Sequence, residues 1–373
     1  TIPNRFAPND PGRAQTFVCW NRAGHGLMDA ITGMANSCDI YYYKISGGFD
    51  QDGEFVEGLG INRISRYAAQ FGFGRVQGIE LPLEAAGDLP PDRGWKARIY
   101  GEPWSTGDDY NLGIGQGFLT SSPLQVAQMA AVIANGGFLY RPSIIHHMTD
   151  ADGNIVFAED SQIFARARLG EDDRTILTDA NGEPLDDPSF NVRFDANGDY
   201  IFQPEVLNAV DVDRENIEII AEGMRLVNVL VDDDLFYTGA TYVDWLDPFG
   251  ITTAGKTGTS EYCDNIAIEK GWCSFSDILN RKILPTHSWY VGYAPFDDPE
   301  IVVVAFLYNG GEGSQWAAPV ACNVMAAYFG LGQYAQFSGD PNAEFNESDT
   351  RVCNSLSFNP VLPLDLLDSV QRQ

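Results

Sequence analysis

Apolar residues recur at helical spacing from Ile61 to Phe71, where Ile61, Ile64, Ala68 and Phe71 share one face and Gly72 and Gly74 stop the run. A sharper start lies at Ser122, a capping serine followed by Pro123 at the first helical position and Gln125 three residues after the cap. The apolar stretch Val126 to Ala134 continues that helix, and Asn135-Gly136-Gly137 ends it. A third helix is predicted from Glu215 to about Val231, with Ile217, Ile220, Met224 and Val227 on one stripe. The last third of the chain changes period. Ser288 to Tyr293 and Ile301 to Tyr308 are β-branched and aromatic runs, and the Ala294-to-Pro299 connector is too short for a crossover helix, so the two strands pair antiparallel. A helix from Ala317 to Phe329 follows, with Pro319 near its start and Gly330 at its end.

Between about 146 and 205 the sequence becomes acidic and turn-rich. Asp150-Ala151-Asp152-Gly153, Asp179-Ala180-Asn181-Gly182 and Asp195-Ala196-Asn197-Gly198 read as hairpin turns. None continues into the twelve-residue calcium-loop pattern with its closing glutamate. Across the chain 52 acidic residues stand against 23 basic ones, which sets nucleic acid aside as a partner. No stretch approaches the roughly 20 apolar residues that span a bilayer. The six cysteines, at 19, 38, 263, 273, 322 and 353, are compatible with one or two bridges. Cys263 and Cys273 are the best pair by spacing; buried free thiols are the alternative.

The most specific chemical signal is Thr253-Ala254-Gly255-Lys256-Thr257-Gly258-Thr259-Ser260. On an edge strand lining a cleft, Gly258 lets a ligand backbone approach, Lys256 keeps the pocket positive, and Thr257 and Thr259 offer hydroxyls. Taken alone, the Lys-Thr-Gly tripeptide reads rather as a polar edge strand with a surface lysine. Its surroundings decide between the two. The antiparallel pair around His287-Ser288-Trp289-Tyr290-Val291-Gly292-Tyr293-Ala294-Pro295, the helix start Ala317-Ala318-Pro319-Val320, the upstream Gly113-Ile114-Gly115-Gln116-Gly117 with Thr120 and Ser122-Pro123-Leu124-Gln125, Arg141-Pro142 and Glu222-Gly223-Met224 stand in the order seen in one family. The chain resembles class B penicillin-binding proteins of the elongation type, penicillin-binding protein 2-like peptidoglycan D,D-transpeptidases.

The resemblance implies an α+β penicillin-binding protein/serine β-lactamase-like transpeptidase fold, an antiparallel sheet packed by helices. It gives Ser37-Cys38-Asp39 the place of the family's second motif, with Ser37 relaying a proton and Asp39 orienting. Read locally, the same residues are an N-cap serine and aspartate opening a helix. Lys256 joins Ser37 and Asp39 as the catalytic group, and Thr257, Gly258 and Thr259 bind the donor. Some members hold zinc through a histidine and the second-motif cysteine, which here implies His25 and Cys38. Cys19 stands where the family uses a carboxylate, and Asp10 is a candidate fourth ligand by type alone. A buried cysteine and a structural histidine are the alternative to a metal.

The family's nucleophile lies in Ser-x-x-Lys, upstream of the second motif. No serine of this chain has lysine at the third following position, and only 36 residues precede Ser37. The expectation is therefore a partial transpeptidase domain over 1–333 with its N-terminal part missing, an acidic insertion at about 146–205, and an unplaced tail at 334–373. Such a chain is expected to be inactive alone. The parent would cross-link stem peptides ending in D-Ala-D-Ala, be acylated by β-lactams, need no cofactor beyond a possible structural zinc, work with the cell-elongation machinery, and sit on the outer face of the bacterial plasma membrane. A non-catalytic scaffold or β-lactam sensor on the same fold is the alternative.

Overall fold

The computed structural model describes residues 16–144, 206–232, 244–276 and 281–331, with Cys353 and short strand pairs within 148–201 and at 235–236. Among the described residues the first elements are α1 (Ala30–Ala35), α2 (Asp39–Gly47) and the hairpin β1 (Phe49–Gln51) and β2 (Glu54–Val56). Helices α3 (Gly60–Gln70), α4 (Gly94–Tyr100), α5 (Thr106–Gly113) and α6 (Pro123–Ala134) follow. β3 (Phe138–Tyr140) pairs with β4 (Val206–Ala209), so the acidic segment leaves and rejoins the fold at one place. Next come α7 (Arg214–Val227) and β5 (Ala254–Glu261), then α8 (Asn265–Glu269), β6 (Thr286–Ala294), β7 (Ile301–Leu307) and α9 (Ala317–Tyr328). Strands β5, β6 and β7 form an antiparallel sheet in that order, which leaves the Lys-Thr-Gly strand on an edge among the described residues, as expected.

The sheet is covered on both faces. Against one face α9 sets Ala317, Ala318, Ala321, Cys322, Met325 and Ala326 onto Tyr290, Ala294, Val303 and Ala305. Its run of alanines lets the helix axis come close to the strands, and truncating the buried Met325 to Ala costs about 2–5 kcal/mol. Against the other face Ile133 of α6 and Ile217 and Met224 of α7 meet Ala254 and Tyr293. A separate cluster of Ile61, Trp104 and Leu112 organises the α3–α5 region. It is tied by Asp109, 1% exposed, which accepts from Ile61 N at 2.9 Å, Trp104 Nε1 at 2.9 Å and Arg93 Nη2 at 2.5 Å. Every hydrogen bond this carboxylate accepts offsets the cost of burying its charge.

Local signals account for much of this. α6 begins as its sequence dictates: Ser122 N donates to Gln125 Oε1 at 2.9 Å and Gln125 N to Ser122 Oγ at 3.3 Å. The same Gln125 amide reaches Ala86 O at 2.7 Å, so the cap also closes a loop. α7 stops at Val227, earlier than its apolar stripe suggests. The next residue, Asn228, turns its amide inward to Tyr290 Oη at 2.9 Å and Thr253 Oγ1 at 3.2 Å, and Leu230–Asp232 is strand.

Strand pairs Met148–Thr149 with Ile155–Val156 and Arg193–Phe194 with Tyr200–Ile201 flank two of the predicted hairpin turns. Arg166–Leu169 pairs with Thr175–Thr178, and the predicted turn Asp179-Ala180-Asn181-Gly182 lies outside the described residues. Disulfides join Cys263 to Cys273, the pair expected from spacing, and Cys322 to Cys353, a pairing the sequence did not indicate. Among the described residues no helix is long and apolar enough to cross a membrane. Asp10 and the tail beyond 331, Cys353 excepted, lie outside the described residues.

Candidate active site

Lys256 lies on β5 opposite Val291 of β6, and Gly258 opposite Trp289. Paired residues share a face, so the Lys256 side chain projects from the face that α6 and α7 cover. Helix α7 carries α1 toward it: at Gly223 a side chain would press on Met34 and Ile31, so the missing Cβ allows α1 and α7 their close approach. Just beyond α1 the chain turns sharply. Ser37 N donates to Met34 O at 3.1 Å and Cys38 N to Gly33 O at 2.9 Å, with Ser37 at φ 47°. The left-handed region is unfavourable for a serine and is held only where the surroundings over-determine it.

That turn corrects the capping expectation. Helix α2 begins at Asp39, its N-cap is Cys38, and no side chain caps it. Freed from capping, the Ser37 hydroxyl faces β5, where Lys256 Nζ donates to Ser37 Oγ and also to Thr257 O at 2.9 Å. Burial pushes the Lys256 ammonium down to about 8, and the Asp39 carboxylate acts against that fall. Asp39 itself accepts the backbone N–H of Trp20 at 3.0 Å. Trp20 also donates Nε1 to Asn36 O and Ser37 O, each at 3.0 Å, and so pins the turn from outside. No motif marks Trp20; its position next to Cys19 was the only available hint.

The far end of the strand is also supported. Gln116 Nε2 donates to Thr259 O at 3.4 Å, which joins the Gly-rich segment after α5 to β5. Thr259 Oγ1 donates to Glu312 Oε2 at 2.9 Å. Sequence reasoning missed Glu312, because nothing in the run Asn309 to Trp316 distinguishes it from a polar loop. Ser37, Asp39, Lys256, Thr257, Gly258 and Thr259 thus gather along one edge strand and one helix turn.

The three predicted metal ligands converge beside this turn. One donor atom from each of Cys19, His25 and Cys38 lies within 4.8 Å of the others, and Cys19 Sγ is 3.6 Å from His25 Nδ1. Two ligands of a tetrahedral zinc, at about 2.3 Å for sulfur and 2.0 Å for nitrogen, stand roughly 3.5 Å apart. Both thiols are buried, and burial raises the Cys19 thiol above its ordinary pKa. His25 Nε2 is buried without a hydrogen bond among the described residues. Two buried thiols and an imidazole gathered at this spacing form a donor set that fits a zinc-type ion.

The profile described as the penicillin binding protein transpeptidase domain matches residues 3–326. Peptidoglycan D,D-transpeptidase MrdA of Haemophilus influenzae is 30% identical over 319 residues, covering 85% of this chain and 39% of that protein. MrdA of Acinetobacter baumannii is 28% identical, covering 83% and 36%. The chain therefore spans about two fifths of the length of these curated relatives. A chain of a solved peptidoglycan synthase complex is 27% identical with a TM-score of 0.54, covering 86% of this chain and 40% of that one. PBP2 of Pseudomonas aeruginosa shares the fold, with 23% identity, a TM-score of 0.52, and coverage of 94% and 56%. With the profile spanning the sheet, the Ser37 turn and the Lys-Thr-Gly strand together, this chain belongs to the penicillin-binding protein transpeptidase domain family, on its PBP2-like, class B branch.

Proposed function

We propose that this chain forms the substrate-binding and proton-relay half of a peptidoglycan D,D-transpeptidase active in cell elongation. The carrying observation is the hydrogen bond between Lys256 Nζ and Ser37 Oγ, groups 219 positions apart. In this reading a serine of a Ser-x-x-Lys element outside these 373 residues attacks the penultimate D-Ala carbonyl, and its proton passes to the lysine of that element. Thr259 N–H donates to the developing oxyanion. Thr257 and the positive charge of Lys256 receive the terminal carboxylate. The departing D-Ala amine takes a proton through Ser37, whose hydroxyl exchanges with Lys256. The ester on the serine is then attacked by the amine of a second stem peptide, which forms the cross-link and frees the serine. A β-lactam enters the same path and stops at the ester.

Zinc belongs to this reading as a structural ion held by Cys19, His25 and Cys38. When bound it would cross-link the segment before α1 to the start of α2. Cys38 directly follows Ser37, so those ligands steady the turn that presents the relay hydroxyl. Two disulfides support an extracytoplasmic, oxidising location for the domain. Membrane anchoring and association with the elongation machinery follow from the family and are proposed with it.

The test is covalent labelling by a fluorescent penicillin. The natural protein that carries this chain is compared with the 373-residue chain alone. Labelling of the natural protein only, lost in Lys256→Ala, supports the reading. If the natural protein has no Ser-x-x-Lys and takes no label, a non-catalytic scaffold role replaces it.

A further inference from the structure

The loop between β7 and α9 lies over the Thr259 end of β5 and is held tightly to it. Gly313 sits so close that a Cβ there would collide with the carbonyl oxygens of Gly258 and Trp289. Its N–H donates to Thr259 Oγ1 at 3.2 Å. The buried Ser288 hydroxyl donates to Glu312 O at 3.1 Å and accepts from Ala317 N at 3.1 Å, which ties the loop to β6 and to the first turn of α9. These contacts fix the Glu312 backbone beside the strand. From there its exposed side chain accepts the Thr259 hydroxyl proton at 2.9 Å.

A hydroxyl carries one proton. With that proton given to Glu312 and a lone pair taken by Gly313 N, Thr259 Oγ1 can meet a ligand only as an acceptor. Glu312 already stands toward Thr259 as a ligand carboxylate would: an anion receiving the hydroxyl hydrogen bond. We propose that Glu312 is an internal competitor for the ligand carboxylate and so a specificity-determining residue of this pocket. A ligand carboxylate drawn to Lys256 and Thr257 meets the negative charge of Glu312 two residues along the strand and gains the Thr259 hydroxyl only by displacing it, while a neutral ligand meets no such opposition. Lys256 and Thr257 attract a carboxylate, and Glu312 sets how much of that attraction is realised. The inference rests on the transpeptidase reading, which supplies a ligand ending in a carboxylate.

The experiment measures dissociation constants by ligand-observed NMR for acetyl-D-alanyl-D-alanine and its C-terminal amide. The natural protein is compared with its Glu312→Gln and Glu312→Ala variants. Both variants are expected to bind the carboxylate peptide about three- to tenfold more tightly, the scale of one partly screened charge. The amide's affinity stays unchanged. Equal shifts for the two peptides, an unchanged carboxylate affinity, or no binding by any form overturns the proposal. Penicillin labelling run alongside separates the two readings. Labelling with no charge-selective shift removes the Glu312 role alone, and a charge-selective shift without labelling removes the transpeptidase reading and keeps the competitor.

Discussion

The indole of Trp20 donates to the carbonyl oxygen of Ser37 at 3.0 Å while the Trp20 backbone N–H is held by Asp39 at 3.0 Å. One residue, 59% exposed, thereby grips both ends of the turn that carries the Ser37 hydroxyl, the relay group of the proposed mechanism. Trp20→Phe keeps the ring and removes the donor. The lost hydrogen bonds are worth about 1 kcal/mol each at most, so the protein stays folded. Penicillin acylation is expected to slow by roughly tenfold through misorientation of Ser37. An unchanged acylation rate would show that Trp20 only packs.

Lys256 predicts a pH dependence of two kinds. Its folded pKa of about 8 lies below the roughly 10.4 of a free lysine, so between those values the unfolded chain binds more protons. Stability therefore rises with pH across that window, and the cost of burying the ammonium is fully present below about 8. The urea midpoint of the wild type should gain on that of Lys256→Met as pH increases from about 8 toward 10. Acylation, which in the proposed mechanism draws on the protonated Lys256 for carboxylate binding and for the proton passed through Ser37, should hold below about pH 8 and fall above it.

The trio of Cys19, His25 and Cys38 predicts a metal content. The purified protein should carry stoichiometric zinc by mass spectrometry, and His25→Ala or Cys38→Ser should lose it and melt several degrees lower. Cys19→Asp should keep the ion with weaker affinity, because a carboxylate is a harder donor than a thiolate. Cys19→Ala should not. Full stability in zinc-free protein would leave the three side chains as ordinary packing.

The two disulfides should differ in worth. Closing the 31-residue separation of Cys322 and Cys353 contributes about 3–4 kcal/mol by chain entropy, against about 2.5–3 kcal/mol for the 10-residue separation of Cys263 and Cys273. Double replacement by alanine, read by denaturant midpoint, should reproduce that order.

What the sequence revealed and what it hid divide by the range of the interactions involved. The start of α6 was legible because Ser122, Pro123 and Gln125 cap one another within four positions. The Lys256 strand was legible because its small residues and motif are contiguous. The end of α7 was not, since Asn228 answers to Tyr290 and Thr253, which are distant in sequence. Ser37-Cys38-Asp39 was legible as a motif, and Asp39 opens its helix, but the left-handed turn that sets Ser37 before the Cys38 cap was not: Trp20, which bonds its carbonyl oxygen, has no local signature. Glu312 reaches the pocket only because Gly313 and Ser288 fasten its loop to the sheet.

The bond between Cys322 and Cys353 closes a covalent ring on α9. A protease that cuts inside that ring leaves a nicked chain whose two pieces stay joined, and Cys353, 2% exposed, remains part of the hydrophobic cluster under α9. Only when reductant and protease act together does the piece beyond the cut depart. Under oxidising conditions the C-terminal region can therefore be broken in sequence without being lost in mass.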